Sequence, residues 1–267
     1  MRPILLIGAG RMGGALLKGW IRTGIGPLTV VEPDPSPELR KLARTNHIQL
    51  HKSVEDVSER IRACVIAIKP QVFKSEAARF KSIVQLSALI ISIAAGTSTK
   101  FMRKAWGDDV RIIRAMPNTP GSIGRGISGL YATRIATDAD RKLAQRLLAA
   151  LGETLWVGKE SLIDSVTAVS GSGPAYVFLL VEALTEAAQA EGLPSNAADR
   201  LARATVSGAG ALLEADGRPA ADLRLDVTSP GGTTEAALEL LLSADGLKPL
   251  ITRAVRAARK RAEELAS

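Results

Sequence analysis

The segment Asp226-Val227-Thr228-Ser229-Pro230-Gly231-Gly232-Thr233-Thr234-Glu235 holds the residue types of an anion-gripping loop. Pro230 fixes its own φ and interrupts whatever precedes it. Gly231 and Gly232 lack the Cβ atoms that would keep a ligand away from the backbone. Thr233 or Thr234 is expected to cap a helix continued by Ala236, Ala237, Leu238, Leu240 and Leu241, with Glu235 in its first turn. Unpaired amides at such a start attract a carboxylate or a phosphate. A glycine-rich turn before an ordinary helix is the alternative reading.

At the other end of the chain, Gly8-Ala9-Gly10-Arg11-Met12-Gly13 has Gly-x-Gly-x-x-Gly spacing, follows the apolar run Ile4-Leu5-Leu6-Ile7 and opens a helical pattern. In that setting the spacing is a dinucleotide fingerprint. Gly8 permits the tight turn, Gly10 lets the backbone meet a pyrophosphate, and Gly13 lets helix and strand pack closely. Glu32 ends the second apolar run, where an acidic residue takes the adenine-ribose hydroxyls of NAD and repels the extra phosphate of NADP. It favours NADH, whereas Arg11 has the reach for a 2′-phosphate; the cofactor is NADPH or NADH. Three further loops follow strand ends on the cofactor side: Lys69-Pro70-Gln71, Ala94-Ala95-Gly96 and Met116-Pro117-Asn118-Thr119-Pro120.

The elements that must position these residues change character along the chain. Strands are expected at 4–7, 28–31, 47–50, 63–68, 89–93 and 110–115, with more at 127–131 and 154–157. Helices at 13–23, 37–45, 54–60, 72–83 and 139–151 alternate with them, which implies a doubly wound, mostly parallel sheet. From about residue 160 every segment reads as helix: 162–170, 175–191, 195–214, 220–226, 233–243 and 249–266. Gly192 is expected to stop one helix and Ser195 to cap the next. An α/β Rossmann domain over 1–160 followed by an all-α domain over 161–267 is the expected organisation.

Composition narrows the function classes. The chain has 267 residues, 46% of them hydrophobic and 3% aromatic, with net charge +8. The basic run Arg253, Arg256, Arg259, Lys260, Arg261 has no interleaved aromatics, so it reads as a solvated helix face and not as a nucleic-acid surface. Cys64 is alone and sits in a strand interior, so it is expected to be inert. His47 and His51 have no metal-ligand spacing, and no metal is expected. No apolar run reaches the length of a membrane span and no signal peptide is visible, which suggests a cytoplasmic protein.

With those residues in place, the chain resembles the pyrroline-5-carboxylate reductases. The resemblance runs nearly end to end. It is carried by 7–14, 67–71, 92–96 and 114–120, and most specifically by Val169-Ser-Gly-Ser-Gly-Pro-Ala-Tyr-Val-Phe178 and 226–237. It implies a Rossmann domain followed by a helical dimerisation domain, in intertwined homodimers that assemble further into rings. It also implies NAD(P)H-dependent reduction of 1-pyrroline-5-carboxylate to L-proline. Ser229, Gly231, Gly232, Thr233 and Thr234 would hold the substrate. Ala67, Lys69, Pro70, Ala94, Ala95, Gly96 and Asn118 would join Gly8–Gly13 and Glu32 around the cofactor. The chain departs from the family at Glu32 and Arg11, and the length of 217–226 leaves a role for Asp216 unassigned.

The expected chemistry is hydride attack on the imine carbon. Amides around Gly232, Thr233 and Thr234 would bind the carboxylate, and the Thr234 hydroxyl would orient the ring nitrogen as the catalytic contact. Two rivals remain: a two-domain dehydrogenase of hydroxy acids, against which the absence of lysine between Lys159 and Lys248 speaks, and a non-catalytic dinucleotide sensor.

Overall fold

Strand β1 (Ile4–Ile7) alternates between two cores. Ile4 and Leu6 join one, Leu5 and Ile7 the other, and all four are buried. A strand covered on both faces reads as a continuous apolar run. In this computed structural model, which describes residues 2–87 and 89–266, β1 is central to one sheet. Residues 1 and 267, the outer ends of the two expected domain ranges, lie outside the described residues.

The sheet continues with β2 (Leu28–Val31), β3 (Gln49–His51), β4 (Ala63–Ile66), β5 (Ile90–Ser92), β6 (Ile112–Met116), β7 (Gly126–Ala132) and β8 (Gly152–Trp156), in the order β3-β2-β1-β4-β5-β6-β7-β8. Among the described residues only the β6–β7 pairing is antiparallel. Strand order reverses between β1 and β4, and such a switch point opens the crevice in which doubly wound sheets bind ligands. Helices α1 (Arg11–Arg22), α2 (Pro37–Thr45), α3 (Pro70–Glu76), α4 (Lys81–Leu86), α5 (Thr99–Trp106) and α6 (Asp138–Leu148) cover the faces. Leu16, Leu17 and Trp20 of α1 and Leu147 of α6 fill one core; Phe73, Ile83, Met102 and Trp106 fill the other.

Local departures from expectation have local causes. The helix expected over 72–83 is two helices, α3 and α4, which bring Phe73 and Phe80 to ring centroids 5.9 Å apart. The helix expected over 54–60 is a single 3-10 turn, Val54–Asp56, closed by a Ser53–Asp56 capping box. Helix α5, which no apolar periodicity announced, is capped by Ser98, whose hydroxyl accepts from the Phe101 amide at 3.2 Å.

The chain divides into two compact units, Met1–Gly171 with Ala258–Ser267, and Ser172–Ala257. In the first, α7 (Leu162–Val166) runs into a π-helical turn, Thr167–Gly171. Helix therefore continues through Ser170–Gly171, where a stop and restart was expected. The second unit holds α8 (Gly173–Ala190), α9 (Ser195–Ala215), α10 (Ala220–Asp226), α11 (Thr233–Leu241) and the start of α12 (Leu247–Ala266), whose last turns belong to the first. Pro194, not Ser195, is the N-cap of α9, and the Ser195 hydroxyl instead accepts from Gln189 at 3.0 Å.

Because the π turn keeps the backbone helical, Leu162–Ala190 is long and apolar enough, by length and composition, to cross a membrane, contrary to the expectation from sequence. Asp164, Glu182 and Glu186 interrupt it. No residue of α8 is buried within the chain, and Phe178 and Leu179 are 61% and 62% exposed. An apolar helix left this bare marks a surface that another molecule covers.

Candidate active site

At the end of β1 the chain turns through Gly8 at φ +89°, a conformation that favours glycine. The three fingerprint glycines differ in what a side chain would meet. A Cβ on Gly8 would lie 2.7 Å from Ile68, and one on Gly13 would overlap the Gly8 carbonyl oxygen. Gly10 faces open space, with nothing within 4 Å of such an atom. Gly8 and Gly13 thus serve the turn and its packing, and Gly10 opens the backbone to a ligand.

Gly10 is also the N-cap of α1 and makes no side-chain cap. Among the described residues the amides of Arg11, Met12 and Gly13 have no acceptor, so three donors and the positive end of the helix dipole meet there. That donor set fits a dinucleotide pyrophosphate. Two cavities flank the turn. One of about 430 Å³ is lined by Gly8, Gly10, Glu32, Ala67 and Lys69 among others; one of about 250 Å³ is lined by Ala9, Gly10 and Arg11 together with Ser36 and Glu38 of the loop and helix after β2. The Glu32 carboxylate turns toward the glycine loop, where Oε2 accepts from the Ala9 amide at 2.8 Å.

The remaining expected cofactor residues, other than Met12 and Gly13 of the turn, stand where strands end. Pro70 opens α3 after Lys69, Ala94–Gly96 follow β5, and Asn118 follows β6; none of these lines the two cavities except Lys69. Gly96 has φ +62°, and its bare face is covered, because a Cβ there would lie 2.9 Å from the Leu265 backbone oxygen. That oxygen also accepts from Lys74 at 2.9 Å. Asn118 Oδ1 accepts from the Ile127 amide at 3.0 Å, holding the start of β7. Thr97, one residue beyond Gly96, is fully buried, and its hydroxyl has no partner among the described residues.

The sequence analysis did not single out a buried charge network that stands beside these loops. Arg114 of β6, whose side chain is 3% exposed, pairs with Asp164 of α7 at 3.1 Å and with Glu160 at 3.3 Å. Glu160 also accepts from the Thr99 amide at 2.7 Å and from its hydroxyl. An arginine inside the apolar strand Ile112-Ile113-Arg114-Ala115 was the one usable signal, since a buried cation requires partners.

In the second unit, Gly231 has φ +70° with open space around it. Its amide donates to Glu235 Oε2 at 2.7 Å, and the Gly232 amide donates to the Ser229 carbonyl at 3.0 Å. Gly232, and neither threonine, is the N-cap of α11. The expected anion cradle therefore shifts along the chain: the Gly232 amide is used within the turn, and the amides without an acceptor among the described residues are those of Thr233, Thr234 and Glu235. Asp216 is committed elsewhere. Arg218 hydrogen-bonds it at 2.9 Å and holds its carboxyl below the usual range, while also reaching Asp226 at 2.7 Å.

Comparison with known proteins agrees with both units. Residues 160–265 match the family described as pyrroline-5-carboxylate reductase dimerisation, and residues 3–96 match the coenzyme F420-dependent NADP oxidoreductases. A pyrroline-5-carboxylate reductase of Pseudomonas aeruginosa is 38% identical over 98% of this chain and 96% of its own length. That of Pisum sativum is 36% identical over 97% and 94%. The solved structure of the Coxiella burnetii enzyme superposes with a TM-score of 0.92 at 35% identity, over 100% of this chain and 99% of that one. A Plasmodium falciparum pyrroline carboxylate reductase with NADP bound superposes at 0.83 with 27% identity, over 100% and 98%. With such identity sustained across both units, the chain belongs to the pyrroline-5-carboxylate reductase family.

Proposed function

We propose that this protein reduces the cyclic imine 1-pyrroline-5-carboxylate to L-proline. The observation that carries the reading is the helix start at Thr233–Glu235. It presents free amides for a small carboxylate in a chain collinear with relatives named for that reaction. The reduced nicotinamide dinucleotide supplies the hydride.

The chain's own residues bind and orient. Free amides of Arg11, Met12 and Gly13 hold the pyrophosphate, with Gly10 allowing the approach. Ala67, Lys69 and Pro70, together with Ala94–Gly96 and Asn118, form the rest of the cofactor bed, and the Thr97 hydroxyl is a buried donor with capacity to spare. Ser229, Gly231 and Gly232 shape the substrate turn. The amides of Thr233, Thr234 and Glu235 take the carboxylate, and the Thr234 hydroxyl hydrogen-bonds the ring nitrogen.

NADH is the preferred donor in this reading, because the Glu32 carboxylate at the glycine turn repels a 2′-phosphate. The chain self-associates. The bare apolar face of α8 supports a dimer built through the second unit, and exposed Leu240 and Leu250 support assembly of dimers into a larger ring. Absorbance loss of NADH and of NADPH with 1-pyrroline-5-carboxylate tests the assignment; no imine-dependent oxidation with either cofactor would overturn it.

A further inference from the structure

The Arg114 guanidinium reaches, directly or through one carboxylate, elements that diverge from the ends of β5 and β6. On its own strand, two residues on, lies Met116, against which Gly171 of the π turn packs; a Cβ on Gly171 would lie 2.8 Å from the Met116 methyl. Through Asp164 it holds α7, which leads directly into that turn. Through Glu160 it reaches Thr99, the first residue of α5 and the far anchor of the loop 93–98. That loop is pinned at its near end by the Ser92 hydroxyl, which accepts from the Ala94 amide at 3.3 Å. Between its two anchors lie Ala94, Ala95, Gly96 and Thr97, whose hydroxyl has no partner among the described residues.

One bidentate cation therefore sets the spacing of three segments. They are the loop after β5, the loop after β6, and the π turn whose last residue precedes α8. A desolvated ion pair with full hydrogen bonding resists small displacements, whereas removing one partner strands a buried charge. Guanidinium is suited to this because its planar fork serves both carboxylates at once, which a lysine ammonium cannot do with the same geometry. Stability alone would be met as well by an apolar residue in the middle of an apolar strand. We infer that Arg114, with Glu160 and Asp164, is a positioning residue for hydride transfer, fixing the 93–98 and 116–118 loops and the 167–171 turn relative to one another.

The inference rests on the reductase reading above. It is tested on the full chain with Arg114→Lys and with the milder Thr99→Val, which removes only the hydroxyl bond to Glu160. Each is measured for cofactor affinity in the absence of imine, for kcat and KM, and for the primary isotope effect with C4-deuterated NADH. Misplacement of reacting groups by about 1 Å costs on the order of a hundredfold in rate. Arg114→Lys should therefore lower kcat at least about tenfold, by more than it weakens cofactor binding, and raise the isotope effect on kcat as hydride transfer becomes limiting. Thr99→Val should show the same signature at smaller size. A folded Arg114→Lys that loses thermal stability yet keeps kcat and isotope effect would overturn the inference and leave a structural ion pair. If Arg114→Lys does not fold, wild-type kcat and isotope effect in Thr99→Val would overturn it equally. An inactive wild type would instead remove the reductase reading, and this inference with it.

Discussion

The Glu32 carboxylate accepts the Ala9 amide at 2.8 Å, bonding the end of β2 to the glycine turn after β1. The acid is thus held against the glycine turn, and in the proposed cofactor site its charge would stand beside the adenine ribose. Glu32→Gln keeps an acceptor for Ala9 and removes only the charge. The ratio of kcat/KM for NADPH to that for NADH should rise by about tenfold or more in that variant. Glu32→Ala, which also frees the Ala9 amide, should in addition weaken NADH. An unchanged ratio in Glu32→Gln would show that the charge does not choose the cofactor.

Two of the fingerprint glycines, Gly10 and Gly13, should fail differently. Gly10 has open space where a Cβ would go, so Gly10→Ala is expected to fold normally and to bind cofactor at least about tenfold more weakly. Gly13→Ala forces a methyl onto the Gly8 carbonyl and should cost about 2 kcal/mol or more of stability. Thermal unfolding together with cofactor titration by fluorescence separates the two. A Gly10→Ala variant with wild-type affinity would place the pyrophosphate elsewhere.

At the start of α11 the Thr234 hydroxyl makes no cap, so helix stability gives no reason for it. Thr234→Ala is expected to unfold at nearly the wild-type temperature, to bind cofactor normally, and to lose on the order of tenfold to a thousandfold in turnover. Thr234→Ser should recover much of the loss. Equal steady-state kinetics in the alanine variant would remove Thr234 from the site.

The alternation of strands and helices and the glycine turn after β1 were legible because both depend on local patterns. β1 is four apolar residues followed by glycine, and the helix after it begins within two residues of its expected start. What escaped is non-local. Thr99 and Arg114 are far in sequence from Glu160 and Asp164, and nothing around Glu160 distinguishes it from a surface acid. The Gly232 amide was assigned to the substrate because sequence shows which amides a helix start exposes, but not which of them the preceding turn consumes. Helix α5 was missed because its apolar residues, Phe101, Met102, Ala105 and Trp106, are too few to set a period apart from its cap.

Cys64 offers a test of the core that holds Leu5, Ile7 and Phe73. It is wholly buried in β4, and burial pushes its thiol well above the ordinary value of 9.0. In the folded protein burial holds that proton on well above the pH at which a solvated thiol loses it. The unfolded chain loses that proton above about 9.0, so above this pH the unfolded state binds fewer protons and stability falls as pH rises. Below it the two states are equally protonated and Cys64 contributes no slope. Cys64→Val should remove up to about 1.4 kcal/mol per pH unit from the decline measured by urea unfolding between roughly pH 9 and 10.5. The same burial predicts that iodoacetamide modifies the native protein negligibly and the urea-unfolded chain fully. Rapid native modification, or identical pH slopes in wild type and Cys64→Val, would mean that β4 is open to solvent.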